Sequence, residues 1–260
     1  MRDDPPKPAE ETLDPDNWPE TLTAAHGIVD RAFARLQSLR DRAAWSEMPA
    51  TVRSALAAPL PVGGAPLDRV CAEAERTALA YPMGTTHPRF WAWSMGSGNV
   101  AGALGDFLAA VDGSNLGGGN TGPAALDRQV TLWLKEMIGF PADAGATLTS
   151  GGSVANLVCL TVARNAMAGI DVREMGISAA PKPLRFYTSE QVHSCHQKSM
   201  EVLGLGNRAV RRIRCDAAHR LDVAALSAAI AEDRAAGFRP ACVIATAGTV
   251  NTGAIDPMHD

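Results

Sequence analysis

The chain has 260 residues, 46% of them hydrophobic, enough to bury a sizeable core in one large domain or most of one. A formal net charge of -4 gives no electrostatic reason to expect nucleic acid or an anionic membrane as partner, so the ligand is expected to be small. The chain has no apolar run of about 18 residues and no basic-then-apolar leader, and its odd, scattered cysteines (Cys71, Cys159, Cys195, Cys215, Cys242) form no C-x-x-C pair, so a soluble, cytoplasmic protein with idle thiols is expected.

Residues 1–20 are rich in Pro, Asp and Glu and read as an extended arm. A helix is predicted over Leu22 to Trp45, with Leu22, Ala25, Val29, Ala32, Phe33, Leu36 and Leu39 on one face. The stretch Pro59 to Pro66 separates it from a second helix, Leu67 to Ala80, ended by Tyr81-Pro82. These make an N-terminal segment, 1–86. From His87 the texture turns dense in Gly, Asn and Trp, as expected near a site or an interface, and a domain is assigned to 87–260. Pro123 suits the first turn of a helix running to about Gly139, with Leu126, Val130, Trp133, Leu134, Met137 and Ile138 as its apolar face.

Beyond it the chain alternates: a helix from Ser153, a strand near Leu184 to Thr188, a helix from about Glu190, a strand Val210 to Cys215, a helix Asp222 to Ala236 and a strand Ala241 to Ala247. Asp222 is the expected N-cap of the last helix and Gly237 its C′ residue. This alternation predicts an α/β fold with a mainly parallel sheet, whose ligands sit beyond the carboxyl ends of the strands.

The chemistry concentrates in TSGGSVANL (Thr149 to Leu157), YTSEQVHSC (Tyr187 to Cys195) and ATAGTVNTGAIDP (Ala245 to Pro257). A Gly/Ser turn entering a helix aims unpaired N–H groups and the positive end of the helix dipole at one spot, which suits a phosphate. GLGNRA (Gly204 to Ala209) matches a dinucleotide fingerprint in letters but leaves a helix and enters a strand, the reverse of what that fingerprint requires. GGSVA (Gly151 to Ala155) is a near miss to a nucleophile elbow, which keeps a serine hydrolase using Ser153 as a competing reading. His193 and His196 lack further ligands at zinc-site spacing.

HPRF, the Gly-Pro before the helix at Pro123, TSGGSVANL, SEQVHS and GTVNTGAIDP, in that order, resemble the group II pyridoxal-phosphate-dependent amino-acid decarboxylases, of fold type I. The resemblance runs from about His87 to Asp260. It implies pyridoxal 5'-phosphate as cofactor, bound at Gly152 and Ser153 through its phosphate. It further implies that His193 stacks on the pyridine ring and aligns the substrate as the catalytic residue, with Thr249 and Asp256 beside the cofactor. It implies an amino-acid substrate, carboxy-lyase chemistry and a homodimer, with Phe90 to Gly119 near the subunit interface. Val154 stands where many members carry an acidic residue, and Gly96 where the aromatic-amino-acid enzymes carry a polar substrate contact.

The family's covalent lysine and the carboxylate at the pyridine nitrogen lie downstream of the GAIDP motif, whereas Lys7, Lys135, Lys182 and Lys198 all precede it; Lys198 follows His196 at His-x-Lys spacing but falls within a predicted helix. The chain is therefore expected to correspond to the N-terminal half of such an enzyme. Another fold type I activity, such as an aminotransferase, and an inactive remnant are the competing readings.

Overall fold

The computed structural model describes residues 14–93, 95–117 and 119–260 and divides into two compact units, Met1–Gly113 and Ser114–Asp260. The expected arm falls largely on residues 1–13, outside the described residues.

In the first unit, helix α1 spans Trp18–Gln37. It starts earlier than the apolar stripe suggests, because Asn17 Oδ1 accepts the Glu20 N–H at 3.3 Å and Pro19 occupies the first turn. It also stops before Trp45, giving way to a 3-10 turn at Leu39–Asp41. A short unforeseen helix, α2, covers Ala50–Leu56. The Pro/Gly break holds, and α3 follows at Leu67–Arg76, tied to α1 by a bifurcated hydrogen bond from the single Arg31 Nε–H to both carboxylate oxygens of Glu75 at 2.9 and 3.0 Å. His87 of the HPRF motif is buried and structural: Nδ1 accepts the Arg89 N–H at 3.0 Å, so the proton lies on Nε2, which donates to the Arg42 carbonyl at 3.1 Å. Gly84 admits no other residue, having a φ of +95° and a Cβ position 2.3 Å from the Ala44 carbonyl oxygen.

Helix α4, Val100–Asp112, lies within the Gly/Asn/Trp-rich stretch. Asn99 caps it through the Gly102 N–H at 2.8 Å, and Gly113, at a φ of 63°, ends it. Its large apolar side chains Val100, Leu104, Phe107, Leu108 and Val111 are all exposed.

The second unit opens with α5, Gly122–Met137, with Pro123 in its first turn as expected and with the Thr121 hydroxyl accepting the Ala124 N–H at 3.4 Å as an unforeseen cap. Its buried face is not the expected one. Leu126, Trp133, Leu134, Met137 and Ile138 are exposed, whereas Ala124, Thr131 and Lys135 are buried. Lys135 Nζ donates to the Ala142 and Ala144 carbonyls at 2.7 and 2.9 Å, folding the following turn against the helix. The aliphatic stem of Lys135 then takes the inner position that periodicity assigns to leucine.

Helix α6 covers Gly152–Met167 and a short α7 covers Val172–Met175. Then come strand β1 (Leu184–Ser189), helix α8 (Cys195–Val202), strand β2 (Val210–Ile213), helix α9 (Val223–Ala235) and strand β3 (Arg239–Ile244). The sheet is parallel with order β2-β1-β3, as the alternation requires. Asp222 accepts the Ala225 N–H at 3.0 Å as the N-cap of α9, and Gly237 follows at a φ of 89°. Helix α8 begins at Cys195 rather than Glu190, because residues 190–194 form a turn closed by the Val192 N–H on the Ser189 carbonyl.

β1 is the central strand and is buried on both faces. Phe186 packs with Leu160 of α6 and Met200 of α8 on one face, while Tyr187 packs with Ile213, Leu221 and Ala229 of α9 on the other. This alternation of successive side chains makes three layers: α6 and α8, the sheet, and α9. The chain passes from β1 outward to β2, then back across β1 to β3, so the crevice at the carboxyl ends lies between the loops leaving β1 and β3.

Candidate functional site

Three segments meet at the carboxyl end of the sheet. The first is the start of α6. Gly151 supplies no side-chain cap, and its carbonyl takes the Val154 and Ala155 N–H groups. The N–H groups of Gly152 and Ser153 and the Ser153 hydroxyl have no partner among the described residues. A Cβ built on Gly151 or Gly152 meets no atom within 4 Å, so the space before these donors is open. Unpaired first-turn N–H groups, a hydroxyl and a helix dipole form a donor set suited to a phosphate dianion.

The second segment is the turn after β1. His193 is exposed, and its Nδ1 accepts the Cys195 N–H at 3.1 Å. That bond fixes the neutral tautomer with the proton on Nε2, leaving one face and the Nε2–H edge free to act. Two residues on, Cys195 is buried, and burial pushes its thiol up from the ordinary range, so it is a packing group rather than a nucleophile. His196 is buried as well, and burial, with His193 close by, lowers its pKa and disfavours its charged form.

The third is the loop from Thr246 to Asp256, leaving β3. Thr249 is buried, with its hydroxyl 2.6 Å from that of Thr252, its N–H on the Ala254 carbonyl and its own carbonyl taking the Gly253 N–H. Asp256 is buried with both carboxylate oxygens engaged: Oδ1 accepts the Leu221 N–H and Oδ2 the Thr246 N–H, each at 2.8 Å. Asp256 thus closes the base of the loop that presents Thr249.

Two side chains join the segments. Asn156 Nδ2 lies 2.8 Å from the Gly152 carbonyl and 3.8 Å from Cys195 Sγ, linking the start of α6 to the start of α8. Asn251 Nδ2 donates to Gln191 Oε1 at 3.3 Å, linking the Thr249 loop to the His193 turn. The Asn156 amide thus serves both its own helix and the wall of the crevice. Asn251 was overlooked, and only its place between Thr249 and Asp256 marks it out. Ser153 has no hydrogen bond to a histidine among the described residues, which leaves the hydrolase reading without its general base. GLGNRA lies between α8 and β2, at the amino end of the sheet and away from this crevice.

The pyridoxal-dependent decarboxylase conserved domain matches residues 49–260. An aromatic-L-amino-acid decarboxylase of Bacillus atrophaeus is 38% identical over 178 residues, 67% of this chain and 35% of that protein. An L-2,4-diaminobutyrate decarboxylase of Rhizobium meliloti is 32% identical over 202 residues, 77% of this chain and 39% of that protein. The crystal structure of Oryza sativa TDC with PLP and tryptamine superposes with a TM-score of 0.81 at 26% identity, over 95% of this chain and 52% of that one. The chain therefore spans little more than a third of its curated relatives and about half of the solved structure. The architecture is that of fold type I. With the domain matched over most of its length, and with decarboxylases among its sequence relatives, the chain belongs to the pyridoxal-dependent decarboxylase family.

Proposed function

We propose that the full-length protein containing this chain removes the α-carboxylate of an L-amino acid as carbon dioxide, with pyridoxal 5'-phosphate as cofactor. The observation that carries this reading is the convergence of an open, unpaired helix start with a tautomer-fixed histidine and a clasped threonine loop. The bound cofactor supplies the electron sink for the charge left on Cα when carbon dioxide departs.

The residues of this chain have distinct parts. The Gly152 and Ser153 N–H groups and the Ser153 hydroxyl hold the phosphate. His193 would stack on the cofactor's ring, with its Nε2–H free to orient the substrate carboxylate. Thr249 supports the cofactor from the loop, and Asp256 acts one step back by fixing that loop rather than by touching the cofactor. Lys135 is committed to two carbonyls, Lys182 lies at the opposite end of the sheet, and Lys198 on α8 precedes the GAIDP motif, downstream of which the family resemblance places the covalent lysine. The protein acts as a cytoplasmic homodimer. The exposed apolar face of α4, within the segment assigned to the interface, supports that assembly. No helix among the described residues is long and apolar enough to cross a membrane.

The test is product analysis of the full-length enzyme supplied with candidate L-amino acids. Amine and carbon dioxide in equal amounts are expected. A keto acid in their place would assign an aminotransferase, because fold type I does not by itself fix the reaction.

A further inference from the structure

The amino end of the sheet carries a second feature. A cleft of about 490 Å³ opens where β1 and β2 begin, bounded by Ile177, Lys182, Arg185, Leu205, Arg208 and Phe238. None of its lining residues is acidic, in a chain whose net charge is -4. The register brings these cations together: Lys182 sits just before β1, and Arg208 just before Val210, which pairs with Phe186 of β1.

Arg185 is the fixed element. Its side chain is 15% exposed, its guanidinium lies 3.8 Å over the Phe238 ring, and Nη1 bonds the Arg208 carbonyl. Asp233 balances its charge at 3.5 Å and also holds Arg211 at 2.9 Å, while Glu232 takes the second charge of that network. Lys182 and Arg208 have no acidic partner among the described residues. Two uncompensated cations therefore face one cleft whose other wall is Ile177, Leu205 and the Phe238 ring. A concave surface lined by one sign of charge concentrates the opposite ion, and an apolar wall adds selectivity for a hydrophobic body.

We propose that this cleft binds a small organic anion, with its carboxylate or phosphate head between Lys182 and Arg208 and its apolar body against Phe238 and Leu205. β1 separates it from the His193 crevice by roughly 20 Å, so occupancy does not compete with the cofactor.

The test uses 3-phenylpropionate as the probe and the Arg185 Nε–Hε signal as the readout, followed by NMR in the 260-residue chain. Saturable shifts are expected, with a dissociation constant at or below about 1 mM. Binding should weaken at least about tenfold in Lys182→Gln/Arg208→Gln, at least about threefold in Lys182→Gln alone, and remain unchanged in His193→Ala. Both exchanged side chains are exposed, and a wild-type circular dichroism spectrum checks the fold of each variant. Three outcomes would overturn the proposal: no saturation up to about 10 mM, equal binding by the variants, or equal binding of the neutral alcohol 3-phenylpropanol.

Discussion

Asp256 and Thr246 hold each other in both directions: the Asp256 N–H donates to the Thr246 carbonyl at 2.9 Å, and the Thr246 N–H donates to Asp256 Oδ2 at 2.8 Å. The other carboxylate oxygen reaches the Leu221 N–H, at the entry to α9. One buried side chain thus sets where the β3 loop leaves the sheet and where the last helix starts.

Asp256→Ala strands one buried and one half-buried N–H group, and the expected loss is about 3 kcal/mol of unfolding free energy, read as a lower urea midpoint at unchanged m-value. Asp256→Asn keeps one good acceptor and should lose about half as much. A wild-type midpoint in the alanine variant would mean the loop is held by other groups.

Ser153→Ala removes one hydroxyl donor and leaves the backbone cradle, so cofactor retention by the full-length enzyme should fall by about 1–2 kcal/mol, roughly five- to thirtyfold. Gly152→Val should be worse. A Cβ there meets no protein atom within 4 Å, so the group it crowds is the ligand itself. Cofactor dialysis of both variants checks this, and unchanged affinity in the two would remove the phosphate assignment.

His193→Ala should lower turnover of the full-length enzyme at least about 100-fold with the fold intact. His193→Asn is the informative companion, because a shorter amide can still accept the Cys195 N–H and start α8 while lacking the ring. Equal turnover losses in both variants are expected. Recovery of activity in the asparagine variant would reduce His193 to a helix-starting role.

Lys135→Met keeps the buried stem but leaves the Ala142 and Ala144 carbonyls without their ammonium donor. A loss of about 2 kcal/mol is expected, seen as a lower thermal midpoint. Lys135→Arg, with the wrong donor spacing for two adjacent carbonyls, should recover only part of it.

Burial, reinforced by the neighbouring Asp233 carboxylate, pushes the Tyr187 phenol from 10.0 up to about 12. A raised phenol pKa favours the neutral, folded form. This contribution to stability is complete below pH 10 and is lost as pH rises towards 12. In a Tyr81→Phe background, which leaves Tyr187 as the sole tyrosine, absorbance at high pH should report ionisation near 12, and the urea midpoint should fall across the same interval.

Local backbone rules made α9 legible in advance: Asp222 starts it and Gly237 follows it at positive φ, both within sight of their own helix. On α5 periodicity did not foretell the burial of Lys135, because its partners are carbonyls seven and nine residues away, and a carbonyl has no letter in the sequence. Helix α4 was masked by Gly102 and Gly105, although Asn99 and Gly113 marked its ends. The candidate site was readable as three motifs, and the family resemblance supplied their chemistry. Asp256 shows the limit of that route. A motif can place an acid beside a cofactor, but only the fold reveals that both of its oxygens are already bonded to backbone N–H groups.

Among the described residues the first strand in chain order lies in the middle of the three-stranded sheet, so β1 leaves the ribosome with both of its hydrogen-bonding edges bare. Its last partner, β3, is complete only about 55 residues after Ser189, an interval of roughly 3–11 s at ordinary translation rates. Throughout that wait the segment Leu184–Ser189 is an apolar template open to any extended chain nearby. While residues 190–244 are being made, the nascent chain is therefore open to misassembly and to capture by chaperones at this strand.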